Sequence, residues 1–383
     1  MDPLEYHRKH QGKLRVEGTV SIDSLEDLGL AYTPGVAEPA RAIADDAEKS
    51  YEYTAKGKMV GVVSNGSAVL GLGDIGAAAA APVMEGKALL IHELAGVSAF
   101  PLLIDEQDPD AFIEAAARLH PGFGFFLLED IASPDCFRIE DALKERLDIP
   151  VFHDDQHGAA VAVLAGVKNA LDVVGKDMTE VSIALVGAGA AGTAATKLLM
   201  EAGVEDITVV DRSGILAPGM DLLPHHRELA DLTNPDGQQG DLADAMQDAD
   251  VFIGLSTSGI VSQEMVRSMA EDPVVFAMAN PDPEIPYPDA RDAGAAVVGT
   301  GRSDFPNQIN NSLAFPGIVR GALTCRAREV NTEMQLAAAD AIAAQVDEPS
   351  PDQVVPSSLD PDLHDAVADA VRNRGGETGA CRV

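Results

Sequence analysis

Residues 181–192 read VSIALVGAGAAG. The apolar stretch VSIALV runs into Gly187, Gly189 and Gly192, which stand in the spacing G-x-G-x-x-G. A lone match of this kind is weak, so its surroundings decide. The stretch opens a helical segment, TAATKLLMEAG (193–203), and a second apolar strand, ITVV (207–210), ends in Asp211, 19 residues past the last glycine. Glycines that let backbone approach a pyrophosphate at a helix N-terminus, followed by an acid for the ribose hydroxyls, define a Rossmann dinucleotide site. A merely small-residue helix start would need no acid at that distance. Asp211 favours the free ribose of NAD, whereas Arg212 and Ser213 suit the 2′-phosphate of NADP. The stretch leans to NADP, with NAD left open.

The same texture extends in both directions. Downstream, DADVFIGLSTSG (248–259), PVVFAMANPDPE (273–284) and AAVVGTGRSD (295–304) are strands followed by Gly/Pro-punctuated loops, as in a parallel sheet. Upstream, strand and helix patterns alternate from KMVGVVS (58–64) to IPVFHDD (149–155) and the long apolar helix HGAAVAVLAGVKNALDVVG (157–175). Residues 1–57 are polar and mixed. After 311 the chain is mostly helical, with a Pro- and Asp-rich linker at 348–361. The expected fold is α/β with two domains. Residues 1–155, completed by helices of 309–383, form an N-terminal substrate and metal domain. Residues 156–308 form a Rossmann-type, doubly wound parallel-sheet domain.

Composition limits the partners. The chain of 383 residues carries 62 acidic and 27 basic side chains, a net charge of −35. Such a field repels nucleic acid and anionic membrane. Acids scattered along the whole chain, with only 10 lysines and none beyond Lys197, read as adaptation to a high-salt cytoplasm. The start MDPLEYHRKH has no apolar leader and no run reaches the roughly 18 apolar residues of a membrane span, so a cytoplasmic location is expected. Cys136, Cys325 and Cys381 are odd in number and lack a CxxC, so neither a disulfide framework nor a zinc knuckle is expected.

Two features outside the Rossmann unit bear on chemistry. Strands FFLLED and IPVFHDD end in Glu129-Asp130 and Asp154-Asp155. Parallel strands deliver their C-terminal residues to one sheet edge, and carboxylates gathered there repel one another unless a cation neutralises them. Oxygen-only ligands suit Mg²⁺ or Mn²⁺. The plainer reading is a pair of solvated strand ends. His153 and His157 stand four residues apart, yet without the H-E-x-x-H glutamate they read as structural or cofactor-side groups. The second feature is Lys87 in APVMEGKALLIHEL (81–94), with Val83, Met84, Leu90 and Ile91 around it at helical spacing. Either its stem snorkels over the core, or it is a desolvated amine of lowered pKa, fit to act as a base. A second glycine match, Gly71-Gly73-Gly76, lacks the strand and acid and carries Asp74 inside the turn. It reads as a tight turn packing the Lys87 helix.

The stretches AYTPGVAEPA, NGSAVLGLGDIGAAAAAPVMEGKA, LEDIASPDCFRIEDAL, IPVFHDDQHGAAVAV, VGAGAAG, FAMANPDPE and GTGRSDFPNQINNSLAFPGI, in this order over residues 28–320, resemble the small prokaryotic malic enzymes. The resemblance implies oxidative decarboxylation of (S)-malate to pyruvate and CO₂ with reduction of NAD(P)⁺. It makes Glu129, Asp130 and Asp155 ligands of a divalent metal, Lys87 the general base with Asp154 beside it, and Tyr32 the general acid. Asn280 and Asn311 would hold substrate, with Asn280 and Ser256 also on the cofactor side and a homodimer as the assembly. Ala68 precedes VLGLGD where the larger enzymes carry an arginine for the malate carboxylate, which leaves Arg302 or backbone amides for that role. The alternative is a malolactic or oxaloacetate-decarboxylating relative that recycles bound cofactor.

Overall fold

The computed structural model describes residues 2–383 apart from Gln11 and Leu70. Before the first strand come four short helices: α1 (Pro3–His10), α2 (Leu25–Ala31), α3 (Ala37–Asp45) and α4 (Ser50–Tyr53). Local chemistry sets their starts; Ser24, for instance, accepts from the Asp27 amide as the N-cap of α2. No residue of α1, α2 or α3 is buried; Leu14 packs part-buried against the main core, and Tyr51 of α4 is the first buried residue among those described.

The first sheet holds β1 (Met59–Ser64), β2 (Ser98–Leu103), β3 (Phe125–Leu128) and β4 (Val151–His153), all parallel in the order β2-β1-β3-β4. Between them run α5 (Gly76–Ala95), α6 (Pro109–Leu119) and α7 (Asp135–Arg146). The order reverses direction between β1 and β3, so the crevice for a ligand lies beyond the C-terminal ends of those strands. The 71–76 glycine turn closes on itself through Val69 and Gly73 and leads into α5, as expected of a packing turn.

A π-turn at Asp154–Gly158 leads into α8 (Ala159–Val174), a helix buried along most of its length. The second sheet follows with β5 (Ser182–Val186), α9 (Ala190–Glu201), β6 (Asp206–Asp211), β7 (Gly214–Ile215), α10 (Pro224–Thr233) and α11 (Leu242–Met246). It continues with β8 (Val251–Gly254), α12 (Gln263–Arg267), β9 (Val274–Ala277), α13 (Tyr287–Asp292) and β10 (Val297–Thr300). The order is β10-β9-β8-β5-β6-β7, parallel except for the antiparallel β7 edge. Here the switch point falls between β5 and β8, next to the glycine loop.

The last helices are α14 (Phe315–Thr324), α15 (Thr332–Ala343) and α16 (Leu363–Thr378). α14 and α16 return to pack on α5, while α15 packs on α8 and α9. One apolar core therefore runs between the two sheets, and two smaller clusters cover their outer faces. The packing of α14 against α16 brings Cys325 and Cys381 together as a disulfide across 56 residues of sequence, with Cα atoms 5.3 Å apart. This corrects the expectation drawn from cysteine spacing, which carries no information about neighbouring helices. Cys136 remains a free, buried thiol that burial pushes up to about 12.

Candidate active site

The two sheets face each other across a cleft of about 620 Å³. From the first sheet side it is lined by Lys87, Glu129, Asp130 and Asp155, and from the second by Ala190, Ala191, Leu255, Met278 and Asn280, with Asn311 between. Strand ends therefore deliver the acids of 129–130 and 154–155 to one place.

The local backbone is unusual where the carboxylates turn inward. Asp130 has φ of 55°, a left-handed value rare outside glycine, and its amide donates to Asp155 Oδ2 at 2.8 Å. The π-turn widens the start of α8 so that Asp154 points into the protein. Gly158 makes room for it, since a Cβ there would fall 1.9 Å from Asp154 Oδ1.

Lys87 sits at the middle of this group. Its ammonium donates to Asp154 Oδ2 at 2.5 Å, lies 2.9 Å from Glu129 Oε1, and stands 4.3 Å above the centre of the Phe315 ring. It does not snorkel: only 8% of the residue is exposed. Burial pulls its pKa down more than any one neighbour raises it, yet Asp154, Glu129 and Asp155 together outweigh burial and hold it above the ordinary lysine range. The three carboxylates around it thus oppose the lowering that desolvation alone would give.

Glu129, Asp130 and Asp155 each offer an oxygen within 4.8 Å of the others. Glu129 Oε2 is buried and without a hydrogen-bond partner. Burial, then the nearby carboxylates of Asp155, Asp154 and Asp130, push the Glu129 carboxyl well above its usual range against the pull of Lys87. An oxygen-only set, buried at Glu129 and Asp130 and part-buried at Asp155, with an unsatisfied acceptor on Glu129, fits a hard divalent cation.

On the cofactor side, Gly187 has φ of 106°, and a Cβ at Gly192 would fall 1.7 Å from Gly187 O. Both positions require glycine for the loop to pass close under the N-terminus of α9. Gly189 is the N-cap of that helix. Asp211 Oδ1 accepts from the Ser213 amide at 2.7 Å and its hydroxyl at 2.6 Å, while Arg212 is exposed. Ser256 is exposed at the end of β8, with its amide held by Glu284.

Two expected groups lie elsewhere. Tyr32 is 67% exposed and does not line the cleft. Arg302 is engaged by Asp304 at 2.7 and 2.8 Å and by the Pro281 carbonyl, away from the cleft lining, which corrects its candidacy as the carboxylate clamp. Three other groups shape the site and were not singled out from sequence. Phe315 roofs Lys87. Glu140 is buried and accepts from the His153 amide at 3.1 Å and Gln156 Nε2 at 2.9 Å, and bonds His157 Nε2 at 2.9 Å, which steadies the π-turn. Burial opposes ionisation of Glu140, but His157, Lys144 and His153 hold its carboxyl well below the usual range. Glu284, fully buried, receives the amides of Ser256 and Ala279 and so ties together the loops after β8 and β9.

A carboxylate cluster with an adjacent lysine, facing a dinucleotide loop across an interdomain cleft, defines a nicotinamide-dependent α/β oxidoreductase. Residues 11–144 match the malic enzyme N-terminal domain, and residues 156–287 and 292–371 match the malic enzyme NAD binding domain. The chain belongs to the malic enzyme family. It is 52% identical over 386 residues to the bifunctional malic/malolactic enzyme of Bacillus subtilis, covering all of this chain and 94% of that one. It is 51% identical to the NAD-dependent malic enzyme of Geobacillus stearothermophilus, over 97% of this chain and 78% of the relative. The crystal structure of malic enzyme from Pyrococcus horikoshii superposes with a TM-score of 0.94 at 50% identity, covering 97% of this chain and 88% of that one.

Proposed function

We infer that this protein oxidatively decarboxylates (S)-malate to pyruvate and CO₂ while reducing NAD(P)⁺. The observation that carries the reading is the buried Lys87–Asp154 pair beside Glu129, Asp130 and Asp155, opposite the glycine loop. We assign 1–155 with 309–383 to the substrate and metal domain and 156–308 to the cofactor domain. The proposed state is a cytoplasmic, salt-adapted homodimer.

Lys87 Nζ takes the proton of the malate C2 hydroxyl, and Asp154 fixes the amine toward the cleft and stabilises the ammonium that results. Asn280 and Asn311 orient the substrate so that the C2 hydride faces the nicotinamide held by Gly187, Gly189 and Gly192, with Ser256 beside it. An Mg²⁺ or Mn²⁺ held by Glu129, Asp130 and Asp155 would offset the carboxylate field that keeps Lys87 protonated and polarise the substrate oxygens. After CO₂ leaves, C3 of the enolate accepts a proton, the role given to Tyr32. NADP is the favoured cofactor because Arg212 is exposed next to Asp211, although the Geobacillus relative is NAD-dependent.

The test is turnover of malate with Mn²⁺ and each nicotinamide cofactor, followed by NAD(P)H absorbance and by product. Net reduction with pyruvate supports the reading. Lactate without net reduction supports the malolactic alternative, an activity that the name of the Bacillus relative includes. No turnover of malate overturns both.

A further inference from the structure

Cys325 and Cys381 join two parts of the chain that each lead to the buried Lys87–Asp154 pair. Cys325 is the C-cap of α14, a helix of ten residues. Phe315 at its other end holds its ring centre 4.3 Å from Lys87 Nζ. Cys381 precedes Arg382, whose guanidinium donates to the Asp148 carbonyl and reaches Tyr51 Oη at 3.5 Å. Asp148 lies just before β4, the strand that delivers Asp154.

The tail that carries Cys381 has no regular structure of its own: residues 380–383 lie beyond the end of α16. Its backbone is tied by single hydrogen bonds, from Arg328 N to Ala380 O at 2.9 Å, Cys381 N to Gly375 O at 3.2 Å and Arg382 N to Cys325 O at 3.1 Å. Such bonds add little net stability in exchange with water, and a chain end held by them opens locally. The disulfide is the strong attachment, and α16 is shaped for it: a Cβ at Gly375 would fall 2.6 Å from Cys381 Sγ. The neighbouring α14–α16 contact also runs through glycines. A Cβ at Gly317 would fall 2.6 Å from Val367 Cβ, and one at Gly321 would fall 2.5 Å from Ala368 O. At these two positions α14 offers α16 backbone and no side chain, so its seating depends on the two helices staying closed together.

The two sulfurs differ in access. Cys325 is 2% exposed, whereas Cys381 is half-buried near the chain end. In the cytoplasm proposed above disulfides are rare, and those present are usually transient or redox-sensing. We propose that Cys325–Cys381 is a reversible redox clasp: oxidised, it pins the tail and α14, and reduced, it frees the tail and loosens the Phe315 roof over Lys87, which slows turnover. The reductant is a dithiol. Its first thiolate attacks the accessible Cys381 Sγ, and Cys325 leaves as a thiolate that takes up a proton. Its second thiolate then displaces Cys381, which is protonated in turn, so the protein gains two thiols while the dithiol becomes a disulfide. A disulfide oxidant drives the same exchange backwards.

The test uses the full chain under native conditions, with dithiothreitol as reductant and glutathione disulfide as oxidant. Thiol alkylation read by mass is expected to show the bond opening with the first and closing again with the second. On reduction, amide exchange should quicken at 380–383 and in the peptide that begins α14. The melting temperature should fall by roughly 5 °C, because the unfolded chain regains the freedom of a loop closed across 56 residues. The kcat for malate should fall while the KM for cofactor holds. Cys381→Ser should behave as the reduced chain with or without dithiothreitol. A bond that opens only when the chain unfolds is a permanent staple and would overturn the proposal. Reduction that leaves both exchange in α14 and kcat unchanged would overturn it as well. The kcat arm alone rests on the function proposed above: if the oxidised chain turns over no malate, that reading fails, and exchange and melting still decide the clasp.

Discussion

Lys87 Nζ and Asp154 Oδ2 are 2.5 Å apart in a place that water hardly reaches, the two side chains being 8% and 0% exposed. Removing one member of a buried pair costs more than the pair contributes, about 3–5 kcal/mol, because the remaining charge is left uncompensated. Lys87→Met should therefore abolish malate oxidation, keep cofactor binding, and lower stability by that amount at neutral pH. The sign of its pH dependence follows from the carboxyls left behind. In the wild type the raised Lys87 pKa contributes stability that is intact below the unfolded lysine value of about 10.4 and lost only above it. In the variant, Glu129 and Asp154 lose their cation, and burial raises their carboxyls further. The deficit should shrink toward pH 5 and grow toward pH 8. Urea denaturation of both proteins across that range checks it; a deficit that grows toward acid would contradict the buried-pair account.

Glu284 joins the loops after β8 and β9 by accepting from Ser256 N at 2.9 Å and Ala279 N at 3.0 Å. Each buried amide left without an acceptor costs about 1–3 kcal/mol. Glu284→Ala should lose roughly 2–6 kcal/mol and raise the KM for cofactor, whereas Glu284→Gln keeps one acceptor oxygen and should lose about half as much. Denaturation midpoints and cofactor KM measured together check this. Equal effects of the two substitutions would show that the carboxylate does not act as a double acceptor.

The sequence exposed whatever depends on neighbours along the chain. The glycine loop with Asp211 announced the second sheet. The strand-end acids at 129–130 and 154–155 announced the edge where the cleft lies, since parallel strands carry their ends to one side. What stayed hidden depends on distances between remote residues. Glu140 and Glu284 are two acids among 62, and only folding shows that they accept buried amides. Phe315 looked like any core aromatic until α14 returned over α5. The protonation of Lys87 could not be read either, because burial and three carboxylates act in opposite directions and only their separations decide the sum.

Arg212 follows the ribose acid and is exposed, whereas Ser213 is already bonded to Asp211. A guanidinium bonded to a phosphate contributes about 1.5–3 kcal/mol. Arg212→Ser should therefore lower kcat/KM for NADP by roughly 10- to 100-fold and leave that for NAD nearly unchanged. Steady-state rates with both cofactors check the outcome. A parallel fall with both would mean that Arg212 acts on folding or on the shared part of the dinucleotide.

A net charge of −35 makes the folded chain repel itself, and the repulsion acts over the Debye length, about 10 Å at 0.1 M salt and 3 Å at 1 M. Many of the ion pairs are exposed and contribute little, about 0–1 kcal/mol each, so screening them removes less than screening the general repulsion returns. The buried Lys87 pair is shielded from salt by its surroundings. Raising KCl from about 0.1 M to about 2 M should therefore raise the melting temperature and the malate activity together. Replacing several solvent-facing acids by Asn or Gln should flatten that dependence without moving the Lys87 contribution. Thermal melts over a KCl series on both proteins make the comparison. A wild type most stable at low salt would show that its acids are not an adaptation to salt.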